Sequence, residues 1–359
     1  MSIGRPRAAI EKLPAYRPGK GAAQAEQEHG ITEAIKLASN ENPLPPVASV
    51  QDAIARAAAD VNRYPDHRAT ALRERLADWL DVDVDQVTLG AGSAGLLQQL
   101  MLTYVDPGDE VVYPWRSFEV YPVFTQLAGG VAVAVPLTEA HEFDLAAVAD
   151  AVTERTKLVI LATPNNPTGT AVSTEALATM LSRISTDTIV AIDEAYREFV
   201  DPAFGDPVRD LIPDHPNVLV TRTFSKAHGL AAVRVGYGVG HPEVVSSVDK
   251  TLLPFSINGV AQAAALAAID AQDEISVRVQ GIVEERNRVA GALADMGWAL
   301  PQPQGNFVYL PLADSTDEIY LALEKRGVVT RPFSDEGIRV TIGTVEENDR
   351  FLTTLAEVS

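Results

Sequence analysis

From about residue 49 the apolar positions alternate between two periods. Apolar residues three and four apart predict helices over 49–60 and 68–80. A short apolar piece, Gln86–Leu89, reads as a strand leading into the glycine-rich turn Gly90–Gly95 and a helix through about Tyr104. Strands are expected near 109–113 and 131–135, with a helix around 117–128 between them. Three further runs are short, rich in β-branched residues and bounded by turn signals: Lys157–Thr163, Thr188–Ile192 and Val218–Thr221. That is the pattern of buried parallel strands. Segment 173–185 is helical, as a βαβ unit requires between the first two. Past residue 255 the texture changes. One helical stretch runs from about 258 to 296, with breaks, and strand-like Phe307–Leu310 and Ile338–Ile342 flank a helix near 316–326.

Before residue 45, Pro6, Pro14, Pro18 and Pro43 interrupt regular structure and leave only short periodic pieces. The expected class is α/β with a mostly parallel central sheet. Residues 1–44 form an arm that lies on the small domain or on a partner, 45–255 a large domain, and 256–359 a smaller α+β domain.

Composition narrows the functional classes. The 359 residues, 46% of them hydrophobic, suffice for two cores. A formal net charge of −20 argues against nucleic acid and anionic membranes as partners. It leaves room for a small anion wherever arginines and lysines gather locally. The sequence contains no cysteine, which excludes disulfides, thiolate nucleophiles and cysteine-ligated metals. The six histidines lack ligand spacing, so no metal is expected. The first residues, MSIGRPRAAIEKLPAY, carry no signal-like apolar core, and no run approaches the ~18 apolar residues of a membrane span. A cytoplasmic protein is the expectation.

The chemistry concentrates where the three apolar strands end. Asn166 in TPNNPTG, Asp193 and Tyr196 in AIDEAY, and Lys226 in TFSK all follow or close one of them. Open α/β sheets bind ligands outside the carboxyl ends of their strands. Each residue alone also suits a plainer role: Asn166 shaping the turn at Pro167, Asp193 capping a helix or closing a salt bridge. GAGSAG at 90–95 fits a dinucleotide fingerprint, but no clear acidic residue ends the next strand. What the turn retains is the anion-binding capacity of a helix N-terminus.

Together these phrases resemble the fold type I pyridoxal 5'-phosphate (PLP) dependent aminotransferases, in the histidinol-phosphate and aromatic aminotransferase group. The likeness runs from KLASNENP at 36–43 to IRVTIGT at 338–344. It implies that Lys226 is the Schiff-base lysine, since only an amine forms an imine with the cofactor aldehyde. Asp193 then pairs with the pyridine nitrogen, and Tyr196 and Asn166 hydrogen-bond the phenolic oxygen. Ser93 and Ala94 amides, Thr223, Ser225 and Arg234 hold the phosphate. Phe118 stacks on the ring, with Trp115 as a competitor, and Tyr64 reaches the phosphate of a neighbouring subunit in a homodimer with shared sites. Arg339 grips the substrate carboxylate, a task suited to a guanidinium. Arg331, Asn40 and Tyr16 assist.

Within the group, GAGSAGLL, PFSINGVAQ and the arm IEKLPAYRPGK resemble the aromatic (phenylalanine) branch. That implies amino-group exchange between phenylalanine, tyrosine or tryptophan and 2-oxoglutarate. Histidinol-phosphate transamination uses the same residues, because arginines that hold carboxylate also hold phosphate. A PLP-dependent lyase or decarboxylase is the alternative of another class.

Overall fold

The computed structural model describes residues 4–11, 13 and 19–358. Its centre is a seven-stranded sheet. In chain order the strands are β1 (Val87–Gly90), β2 (Glu110–Trp115), β3 (Val131–Pro136), β4 (Thr156–Ala162), β5 (Ile189–Asp193), β6 (Val218–Thr223) and β7 (Gly236–Gly240). Their spatial order is β1-β7-β6-β5-β4-β2-β3. Neighbours are parallel from β6 to β3, whereas β7 runs antiparallel to both β6 and β1. Two reversals restore direction, so β1 ends on the same edge as β2 through β6. The strand interiors, such as Leu158–Leu161 and Val218–Val220, are fully buried. Near-continuous Val, Ile and Leu is what a sheet covered on both faces demands.

The glycine-rich β7 breaks the expected pattern, because GYGVG alternates Tyr237 and Val239 with glycine and has little β-branched density. Its glycines are there for close approach. A Cβ on Gly236 would stand 2.6 Å from the Ser93 amide nitrogen and 2.8 Å from the Arg222 carbonyl. The following helix, Pro242–Asp249, is a second element the periodicity did not indicate.

Other elements lie close to expectation. Helices Ala48–Ala57 and Thr70–Leu80 precede the sheet, and Ser93–Tyr104 and Val120–Ala128 alternate with its strands. The stretch 258–296 is two helices, Gly259–Asp270 and Gln272–Asp295, broken at Ala271. The first packs against Ala48–Ala57 and Thr70–Leu80. A three-stranded antiparallel sheet follows, with Gly337–Thr341 between Arg331–Phe333 and Phe307–Pro311.

The arm is tied in by backbone pairing. Ile35–Lys36 runs parallel to Val328–Val329, and the Thr341 amide donates to the Leu37 carbonyl at 2.9 Å. Helix Ala22–His29 is anchored by charge: Lys20 Nζ lies 2.7 Å from Glu28 and 2.8 Å from buried Glu324. Among the described residues no helix is long and apolar enough to cross a membrane.

Candidate active site

A cavity of about 220 Å³ opens at the carboxyl edge of the sheet. It is walled by the ends of β4, β5 and β6, the start of helix Ser93–Tyr104, the arm, and the three-stranded sheet. Asn166, Asp193, Tyr196 and Lys226 all face it.

Asp193 ends β5 in register with Ala162 and Thr221, which buries it to 4% exposure. Its two oxygens accept from Tyr121 Oη at 2.9 Å and Thr221 Oγ1 at 3.0 Å. Burial pushes the carboxyl up to about 6, against the pull of these two hydrogen bonds, and neighbouring Glu194 adds to the rise. Among the described residues no lysine, arginine or histidine forms an ion pair with it. A buried carboxylate held only by neutral donors is costly. A protonated ring nitrogen supplies the charge this site lacks, so the donor set fits the pyridine of PLP.

Strand period explains the neighbouring charges. Thr221 and Thr223 serve the site side of β6, and Arg222 between them points to the other face. There it binds Glu194 Oε2 at 2.8 Å and Asp206 at 2.5 Å. This buried ion network underpins the strand ends that carry the site.

Lys226 sits on the connection that turns β6 back into β7. Its Nζ donates to the Ser39 carbonyl at 3.1 Å and lies 5.8 Å from the Tyr196 ring centroid. Burial, then the positive charges of Arg339, Arg234 and Lys36, lower its pKa to about 7, with Glu41 opposing. The amine is therefore largely neutral just above neutrality, as a nucleophile and proton carrier must be. The same turnaround brings Arg234, at φ 66°, back across Ser225: Nη1 is 3.5 Å from Ser225 Oγ, and Nη2 binds the Ala91 carbonyl at 3.0 Å. Thr223 Oγ1 donates to Ser225 Oγ at 2.9 Å. With Ser93 and Ala94 opening a twelve-residue helix on the same wall, hydroxyls, helix amides and a guanidinium converge. That set fits a phosphate.

Phe118 lines the cavity and meets the Tyr121 ring edge-on at 5.8 Å. Trp115 packs instead on Tyr113 and Arg116. Arg339, 7% exposed, donates from Nη1 to Asn166 Oδ1 and from Nη2 to the Ala38 carbonyl at 2.7 Å. Asn40, with φ at 51°, donates to Tyr196 Oη at 2.9 Å. Arg331 reaches the same cavity and pairs with Glu119. Tyr64 is elsewhere: 82% exposed, it stacks on Phe255 at 4.5 Å. Tyr16 lies outside the described residues.

Sequence reasoning passed over four supports. Tyr121 and Thr221 hold Asp193. Asn165, fully buried, accepts from Ser117 Oγ at 2.8 Å and donates to Thr168 Oγ1 at 2.9 Å, fixing the loop that presents Asn166. Asn42 donates to the Ala227 carbonyl at 2.9 Å and so ties the arm to the lysine loop. The only hint for the asparagines was their place inside the NNP and NENP phrases.

Residues 32–355 match the family model described as aminotransferase class I and II. The chain is 50% identical over 348 residues to an aromatic amino acid aminotransferase of Thermobifida fusca, covering 97% of this chain and 95% of that protein. It is 47% identical over 346 residues to one of Streptomyces coelicolor, covering 96% and 95%. Among solved structures, histidinol-phosphate aminotransferase from Sinorhizobium meliloti in complex with pyridoxal-5'-phosphate superimposes with a TM-score of 0.91. The identity there is 31%, over 99% of this chain and 98% of that one.

Proposed function

Because the chain belongs to the aminotransferase class I and II family, we propose that it exchanges the amino group of aromatic amino acids with 2-oxoglutarate. That it is a PLP-dependent aminotransferase follows from the family; the substrates are our reading. The observation carrying that reading is the 50% and 47% identity to proteins named for aromatic amino acids. The ring of Phe333 on the cavity wall, not assigned to the cofactor, agrees with an apolar substrate side chain.

PLP, when bound, supplies an electron sink for the bond broken at the substrate's α-carbon. The protein's own groups do the rest. Lys226 would hold the cofactor covalently, and its amine would carry the α-proton. Asp193 keeps the ring nitrogen protonated, and Tyr196 and Asn166 serve the phenolic oxygen. Ser93, Ala94, Thr223, Ser225 and Arg234 take the phosphate, and Phe118 covers the ring. Arg339 orients the α-carboxylate, with Arg331 and Asn40 beside it. We read residues 1–44 as the arm, 45–255 as the cofactor domain and 256–359 as the smaller domain. Steady-state assay with phenylalanine and 2-oxoglutarate should yield phenylpyruvate and glutamate in equal amounts. Absence of phenylpyruvate, with turnover of other amino acids intact, rejects the aromatic assignment.

We further read the exposed Tyr64–Phe255 stack, beside exposed Leu253, as the surface that meets a second copy and lets Tyr64 serve the partner's phosphate site. Sedimentation should give twice the 38.4 kDa chain mass. Tyr64→Phe should weaken cofactor retention; a monomer that retains full PLP occupancy contradicts the shared site.

A further inference from the structure

Arg331 and Arg339 sit directly opposite each other on adjacent antiparallel strands, and both reach the cavity. Like charges in that cross-strand relation repel. The structure gives Arg331 a counter-ion of its own: its Nη2 lies 2.5 Å from Glu119 Oε2, on the same cavity wall. Glu119 immediately follows Phe118 and precedes helix Val120–Ala128. The other nearby cation, Arg116, is held by Glu336 through Nε at 2.8 Å and 3.0 Å. Glu119 makes its ion pair with Arg331 and acts on Arg116 only through its charge.

We propose that Glu119 is a specificity-determining residue, setting the balance between uncharged and anionic substrate side chains by neutralising Arg331. The inference rests on reading Arg331 as part of the substrate wall. With Arg339 assigned to the α-carboxylate, Arg331 is the guanidinium available to a second acidic group. A distal side-chain carboxylate must displace Glu119 to reach it, and meets the repulsion of that carboxylate on approach. An aromatic or aliphatic side chain leaves the pair closed. The chain thus handles a dicarboxylate at a cost that an uncharged amino acid does not meet.

A purely structural role is the competing explanation, since an acidic residue is favoured just ahead of a helix. The two separate in a comparison of kcat/KM for phenylalanine and leucine with kcat/KM for glutamate and aspartate. Glu119→Gln keeps the side chain's shape and removes its charge. It should raise the anionic-to-uncharged ratio roughly fivefold, the scale of one partly exposed ion pair. Arg331→Met should lower that ratio, and Glu119→Gln added to Arg331→Met should raise it by less than Glu119→Gln does alone. An unchanged or lowered ratio in Glu119→Gln overturns the proposal, as does an equal rise when Arg331 is absent. If Glu119→Gln fails to fold, Arg331→Met decides alone: an unchanged ratio overturns it. Leucine turnover without phenylalanine turnover would overturn the aromatic assignment instead, and leave this ratio measurable.

Discussion

Lys226 and Asp193 draw opposite consequences from the same burial. Desolvation disfavours whichever form is charged, so the amine falls to about 7 and the carboxyl rises to about 6. For Lys226 the sign is direct: it is protonated and inert below that value, and free to react above it. Capture of added PLP by the cofactor-free enzyme should therefore accelerate as pH rises through about 7 and then level off. Stopped-flow absorbance reads this; a rate still climbing at pH above about 9 would mean an ordinary lysine. Arg339→Met removes one of the charges that depress the amine, so the profile should move to higher pH. The residues to which we assign bonds to ligand stood out because chemistry restricts their type: an amine at 226, a carboxylate at 193, guanidinium at 339; all three line the cavity. Tyr121 did not stand out, since it reaches Asp193 across 72 residues and any tyrosine in an apolar helix reads as core.

Elements decide whether those side chains meet. Parallel strands ending on one edge were readable from β-branched runs, and with them the gathering of Asn166, Asp193 and Lys226. Strand β7 was not readable, because its sequence is selected for absent side chains rather than for strand propensity. Gly236 lets that strand lie against the turn holding Ser93, and a methyl group there would meet three backbone atoms closer than 3 Å. Gly236→Ala should cost about 1–3 kcal/mol, the usual penalty for overpacking. Cofactor retention should fall with it, because the atom displaced is the Ser93 amide nitrogen. Urea midpoints and PLP titration check both effects; unchanged values would contradict the close approach of β7 to the Ser93 amide. The arm is the converse case. Its prolines marked it as irregular, yet its contribution of Ser39, Asn40 and Asn42 to the site depends on pairing with Val328–Val329 and Thr341, far along the chain.

For the whole molecule, a net charge of −20 surrounds a cavity whose walls carry Lys226, Arg234, Arg331 and Arg339 against Asp193 and Glu119. Local basic charge overrides the global field, so an acidic protein can take a phosphorylated cofactor and carboxylate substrates. Which amino acid it prefers depends on the wall opposite those arginines, and on Glu119. The most direct test uses purified PLP-loaded enzyme with no oxo acid present, mixed in turn with phenylalanine and with histidinol phosphate. Fast loss of the cofactor's visible band with phenylalanine, and slow or no loss with histidinol phosphate, is the result expected of an aromatic aminotransferase. Fast loss with histidinol phosphate and none with phenylalanine would contradict it.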